Sequence, residues 1–222
     1  MTQVISAVQE KGGAGKTTLL MAIAGLMARD GARIAMIDTD PQRHLEAWAR
    51  KGQTDLDWLY EEDDEKLIPA VKALKRTVPP YDVILVDTAG FKSAMAIHAI
   101  AAAGLVLIPS KASEADAKGA KRTFSHVQSV AETMEREIPA LVVMMDVDTR
   151  TNITQAIVDA FDARDIPRLD AMCAHRTGFK EMTSTGQAPR GSARLAAESV
   201  LADLRSRGLI GFYRRGTWPK SA

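Results

Sequence analysis

Lys11-Gly12-Gly13-Ala14-Gly15-Lys16-Thr17-Thr18 is the stretch that decides how the rest of the chain is read. An apolar run from Val4 to Val8 precedes it, and a helix-like run from Leu19 to Met27 follows. Strand, glycine-rich turn and helix, in that order, are the context a phosphate-binding loop requires. Glycines let the backbone curl so that successive N–H groups point at phosphate oxygens. The helix that follows offers its positive end to the same anion. In such a loop Lys16 reaches the β- and γ-phosphates and the Thr17 hydroxyl sits on Mg²⁺. The strict spacing is Gly-x-x-x-x-Gly-Lys-Ser/Thr, and its first glycine falls at Glu10. That glycine is absent, and a second lysine, Lys11, stands inside the loop.

Outward from the loop, apolar runs alternate with helical patterns. Strands are expected at Val4–Val8, Arg33–Ile37, Val83–Val86, Leu105–Ile108 (stopped by Pro109), Leu141–Met145 and, weakly, Arg168–Met172. Helices are expected at Thr17–Arg29, His44–Lys51, Lys66–Arg76, Ser93–Ala103, Glu114–Arg136, Thr154–Arg164 and Ala193–Arg207. The acidic run Asp55–Glu65 reads as a solvated loop or the start of a helix. Solid apolar strands separated by helices predict an α/β fold: a mostly parallel, twisted sheet with helices on both faces, of the phosphate-loop NTPase type. Ligands of such sheets lie beyond the strand C-termini. One domain is expected over residues 1–208, followed by a loosely packed basic tail, 209–222.

Bulk properties exclude more than they identify. With 29 Lys plus Arg against 28 Asp plus Glu, net charge points to no particular partner. A single cysteine, Cys173, excludes an intramolecular disulfide and a cysteine metal cluster, and reads as a small buried apolar residue. The first residues do not resemble a signal segment and no apolar run approaches a membrane span, so a cytoplasmic protein is expected. His44, His98, His126 and His175 are scattered without metal-ligand spacing.

Two acidic motifs follow the second and third apolar runs. In Ile37-Asp38-Thr39-Asp40-Pro41-Gln42, two carboxylates two residues apart at a strand end can face a γ-phosphate, one near Mg²⁺ and one near an attacking water. Val83-Ile84-Leu85-Val86-Asp87-Thr88-Ala89-Gly90 is an apolar strand ending in an aspartate, the pattern that holds Mg²⁺ through a water in phosphate-loop NTPases. Gly90 allows backbone to approach the γ-phosphate, so this turn can sense whether that phosphate is present.

Together these motifs resemble the ParA/MinD ATPases with a deviant Walker A loop, and most closely the short partition ATPases of the ParF type. Asp38-Thr39-Asp40-Pro41-Gln42 followed by Leu45 and Trp48 is particularly similar to that subgroup, and Ala14 with the same Leu/Trp pattern also resembles the VirC-type ATPase of T-DNA transfer. The resemblance implies an ATPase using ATP and Mg²⁺. Lys11 would reach across a homodimer interface to the partner's ATP. Gly12, Gly13, Ala14, Gly15, Lys16, Thr17 and Thr18 would cradle phosphates, and Asp40 would orient or activate the water. Thr17, Asp38 and Asp87 would support the metal. Asp148-Thr149-Arg150-Thr151-Asn152 resembles a segment near the nucleotide base, so Asp148 and Arg150 join the site.

The resemblance further implies non-specific DNA binding by an ATP-bound dimer, with association to the nucleoid in that state and a small partner protein that stimulates hydrolysis. Candidates for the DNA contacts are Arg176, Lys180, Arg190, Arg194, Arg205 and Arg207, with Arg214, Arg215 and Lys220 in the tail. Non-specific binding needs only positive charge arrayed along phosphates. Two other readings stay open at this point. One is a MinD-like membrane-positioning ATPase, hinted at by Leu209, Ile210, Phe212, Tyr213 and Trp218, although glycines and Pro219 break a continuous amphipathic helix. The other is a metabolic phosphate-loop ligase, which would have no need of Lys11.

Overall fold

The computed structural model describes residues 2–52, 54, 56–90 and 94–211. Asp55, Ser93 and the tail candidates Arg214, Arg215, Trp218 and Lys220 lie outside the described residues. Seven strands form one sheet: β1 (Gln3–Ala7), β2 (Ile34–Asp38), β3 (Asp57–Tyr60), β4 (Val83–Asp87), β5 (Leu105–Ser110), β6 (Ala140–Val147) and β7 (Arg168–Ala174). Between and after them run α1 (Lys16–Arg29), α2 (His44–Ala49), α3 (Asp64–Lys75), α4 (Ala94–Ala102), α5 (Glu114–Thr133), α6 (Asn152–Asp162), α7 (Thr177–Thr185) and α8 (Gly191–Ser206). The strand order is β3-β2-β4-β1-β5-β6-β7, and every pairing is parallel.

The strands are apolar throughout because both faces are covered, and alternate residues serve opposite layers. Ile5, Leu85, Leu107 and Val143 join the core beneath α1, α7 and α8. Val4, Ile84 and Val86 face the core that includes Leu67, Val71, Met95 and Ala99 of α3 and α4. Val106, Ile108 and Val142 face Ala120, Val127, Ile157 and Phe161 of α5 and α6. Helix α1 is buried along most of its length, with Leu19, Leu20, Ile23 and Leu26 fully covered. At about 1.5–3 kcal/mol for each large side chain removed from water, that burial fixes the helix immediately behind the phosphate loop.

Register places the acidic motifs. Asp87 is level with Ala7 on one side and with Asp38 on the other, so both carboxylates stand at the C-terminal rim beside the end of β1. The chain crosses to opposite sides of β1 to make β4 and β5, which opens the sheet at this point.

Three sequence expectations need correction. The acidic run contains the edge strand β3, which its charge conceals: Asp57 accepts a bond from the Tyr81 hydroxyl (2.6 Å), while Arg50 and Arg43 stack over Trp58 and Tyr60. Pro109 does not stop β5, which runs on to Ser110; proline lacks only the donor, and its carbonyl accepts from Gln9 Nε2 at 3.0 Å. Helix α7 was not expected, since its sequence is mostly polar and only Phe179 and Met182, three residues apart, are buried.

Candidate functional site

The phosphate loop leaves β1 and enters α1 through Gly15, whose φ of 104° belongs to the left-handed region that glycine tolerates. No side chain caps α1, so the backbone N–H groups of its first turn face the loop. The seven loop residues Gly12, Gly13, Ala14, Gly15, Lys16, Thr17 and Thr18 are brought together here in the strand–turn–helix context. Gly90 closes on the same loop from β4: a Cβ there would lie 2.9 Å from the Glu10 carbonyl oxygen.

The two loop lysines have opposite surroundings. Lys16 is buried and folds back so that Nζ donates to the Gln9 carbonyl at 3.2 Å. Burial lowers its pKa, and the charges of Asp87 and Asp40 work against that shift. Lys11 is about half exposed, and its amine pairs with Asp116 of α5 at 2.7 Å.

Asp38 and Asp87 are both fully buried. One oxygen of Asp38 accepts from Asp40 N (3.0 Å) and the other from Glu46 N (2.9 Å), so this carboxylate ties β2 to α2. Burial raises its pKa against those two bonds. Among the described residues, neither oxygen of Asp87 has a hydrogen-bond partner. Burial pushes its pKa up to about 7, opposed by the nearby Thr17 hydroxyl and Lys16. A buried carboxylate with two unused oxygens is costly unless a cation or a proton meets it. Oxygen donors from Asp87, Thr17 and Asp38 suit a hard divalent ion such as Mg²⁺. Asp40 is more open, with one oxygen accepting from Gln42 N at 2.9 Å.

Beyond the loop lies a cavity of about 180 Å³, lined in part by Gly13, Gly15, Thr18, Met145, Asp146 and Phe179. Asp146, at φ 56°, bridges Lys111 (3.1 Å) and His175. Burial pushes the Asp146 carboxyl up, but hydrogen bonds from His175 and Lys111 outweigh it and hold the pKa below its ordinary value. Asp148 and Arg150 do not line this cavity. They pair with one another at 3.1 Å on the surface, and that bond is the main cause holding Asp148 low, with a lesser contribution from Arg176.

The six basic candidates have different surroundings. Arg176 and Lys180 border the cavity beside the phosphate loop. Arg190 and Arg194 line a separate open groove of about 540 Å³, together with Arg29, and both Arg29 and Arg194 bond Glu198. Arg205 lies 3.6 Å from Asp30, and Arg207 bonds Asp203 (2.6 Å) and Asp170 (2.9 Å).

Two residues missed in the sequence organise the centre of the site. Gln9 is fully buried; its side-chain Oε1 accepts from Glu10 N (2.7 Å) and its Nε2 donates to the Pro109 carbonyl, joining the end of β1 to β5. Nothing in its neighbourhood of sequence marks it. Asp116 was signalled: Ser113-x-x-Asp116 after a strand is an N-cap pattern, and Ser113 Oγ accepts from Asp116 N at 3.1 Å.

A family model described as VirC1 protein matches residues 2–202. A virC1 protein of Rhizobium radiobacter is 28% identical over 189 residues, covering 83% of this chain and 81% of that one. A ParA protein of the same organism is 31% identical over 142 residues, 63% of each chain. A plasmid partition protein of Borrelia burgdorferi, solved with AMPPNP bound, shares the fold with a TM-score of 0.74 at 14% identity, covering 93% of this chain and 100% of that one. With its loop, acidic strand ends and all-parallel sheet, the chain belongs to the VirC1 family, within the ParA/MinD group of ATPases.

Proposed function

We propose that this protein is a partition-type ATPase that dimerises on ATP, binds DNA non-specifically and hydrolyses ATP when a small partner protein stimulates it. The cycle segregates or positions a cargo, either a plasmid or a protein complex. Residues 1–208 are the ATPase unit and 209–222 a basic tail whose first residues, Leu209 and Ile210, pack onto the core of that unit; the ATP-bound dimer resides on the nucleoid.

The observation that carries this reading is the unpartnered, buried carboxylate of Asp87 beside Lys16 and Thr17 at the mouth of the phosphate loop. Lys16 and the N–H groups at the start of α1 bind the β- and γ-phosphates. Thr17, Asp87 and Asp38 would hold Mg²⁺, which, when bound, neutralises charge on the phosphate oxygens. Asp40, at the open side of the acidic pair, orients the attacking water. Gly12, Gly13, Ala14, Gly15 and Thr18 shape the cradle. The nucleoside enters the cavity lined by Met145 and Phe179, and Asp148 with Arg150 stands outside it as a surface pair. Lys11 is supplied to the partner's nucleotide, as an arginine finger would be, so that the site is complete only in a dimer.

DNA phosphates are met by Arg176, Lys180 and Arg190, with Arg194, Arg205 and Arg207 contributing less because carboxylates already hold them. Among the described residues no helix is long and apolar enough to cross a membrane.

The test is DNA retention by the full chain in ATP. Asp40→Ala should bind ATP, stop hydrolysing and stay on unrelated duplex DNA as a dimer, and added salt should release it. A monomeric Asp40→Ala protein at saturating ATP, or one that sediments with anionic vesicles and ignores DNA, would overturn the reading.

A further inference from the structure

The Lys11 amine is held by a group outside the phosphate loop, the Asp116 carboxylate of α5. Its Nζ lies 2.7 Å from Asp116 Oδ2, although the lysine side chain is 49% exposed and free to extend into water. Asp116 is only 3% exposed. Its Oδ2 also takes the Ser113 hydroxyl, while Oδ1 is buried without a partner.

The helix bearing Asp116 is fixed against the base of the loop. Gly119, one turn along α5, approaches Gln9 so closely that a Cβ there would lie 2.9 Å from the amide oxygen. Glu10, next to Lys11, bonds Arg122 of the same helix at 2.6 Å. The carboxylate is therefore held in place, and the lysine is the exposed member of the pair.

We propose that Asp116 is a positioning residue acting through Lys11: it keeps the amine on its own protomer and gives it up only when a partner's nucleotide takes it. This rests on the reading of Lys11 as the group delivered in trans. Pairing with a buried carboxylate opposes that delivery, because Lys11 must leave behind a charge that water cannot reach. The cost is bounded, since Asp116 sits in the first turn of α5, where the helix end favours a negative charge and the Ser113 hydroxyl remains as a donor. The pair would then set how readily the dimer forms and how readily it comes apart, without touching the nucleotide itself.

The experiment is sedimentation velocity of the full chain with Mg²⁺ and AMPPNP, beside nucleotide titration at concentrations where the protein is monomeric. Asp116→Asn keeps the shape and the Ser113 contact but removes the charge. It should lower the dimer dissociation constant about tenfold or more while nucleotide affinity of the monomer stays as in the wild type. In a Lys11→Ala background the same change should have no effect on dimerisation. If Asp116→Asn fails to fold, judged by its melting curve, Asp116→Ser is read in the same way. A dimer no tighter than wild type, or an effect that persists without Lys11, would overturn the inference. A wild-type chain that remains monomeric with saturating AMPPNP would instead overturn the proposed function on which it rests.

Discussion

At one end of the site Lys16, Asp38 and Asp87 are buried at the tips of adjoining central strands and on the first turn of α1. At the other end Asp146, His175 and Phe179 border a cavity assembled from β6, the turn after β7, and α7. The first end is built by register: once β1, β2 and β4 pair, Asp38 and Asp87 stand level at the same rim. The second is built by packing and surface charge, with Lys111 and His175 both leaning on Asp146. Under the proposed function this is a division of labour, with the buried groups meeting the reacting phosphates and the open cavity taking the rest of the nucleotide.

The largest effect should come from the buried end. Lys16→Ala removes the cation facing the phosphates, and turnover at saturating ATP should fall by about 10²–10³-fold, measured as phosphate release. A variant that kept more than a tenth of wild-type turnover would break the division. Phe179→Ala, at the open end, should behave differently. Truncating this largely buried ring costs about 3 kcal/mol of stability, seen in denaturant unfolding, and raises the KM for ATP, while kcat changes little. A large fall in kcat with unchanged KM would show that both ends serve the reacting phosphates.

Legibility in the sequence follows the same division. Strands β1, β2, β4, β5 and β6 were readable because they are continuous apolar runs, and β2 and β4 end in marked residues, Asp38 and Asp87. Helix α1 was readable from the run that follows Lys16-Thr17-Thr18. Asp38, Asp87 and the loop were located because each motif sits next to its own strand. The cavity was not: Lys111 after β5, Asp146 of β6 and Phe179 of α7 come from three separate parts of the chain, and none stands in a spaced motif. Strand β3 escaped because an edge strand can carry charge on its outward face, as Asp57 does. Asp148 and Arg150 enter by resemblance, whereas Asp146, two residues upstream, lines the cavity and has no such signal.

The smallest effect concerns that residue. Asp146 has its pKa held below the ordinary 3.8 in the folded protein. A depressed carboxylate contributes stability at pH values above its unfolded pKa, and that contribution is lost as pH falls through the folded value. Because the group is partly exposed, its contribution is screened, and Asp146→Asn should cost less than about 1 kcal/mol at neutral pH. Melting temperatures measured between neutral pH and the acid limb should show wild type and variant converging below pH 3.8. Curves that diverge further as the solution is acidified would contradict the role given to His175 and Lys111.

The central claim is that the second lysine of the loop makes the site incomplete in one chain. Its most direct test is the solution mass of wild type and Lys11→Ala with Mg²⁺ and AMPPNP, measured by light scattering after nucleotide binding has been verified for each. The account predicts a dimer for the wild type and a nucleotide-bound monomer for Lys11→Ala. A Lys11→Ala protein that dimerises as readily as the wild type would contradict it.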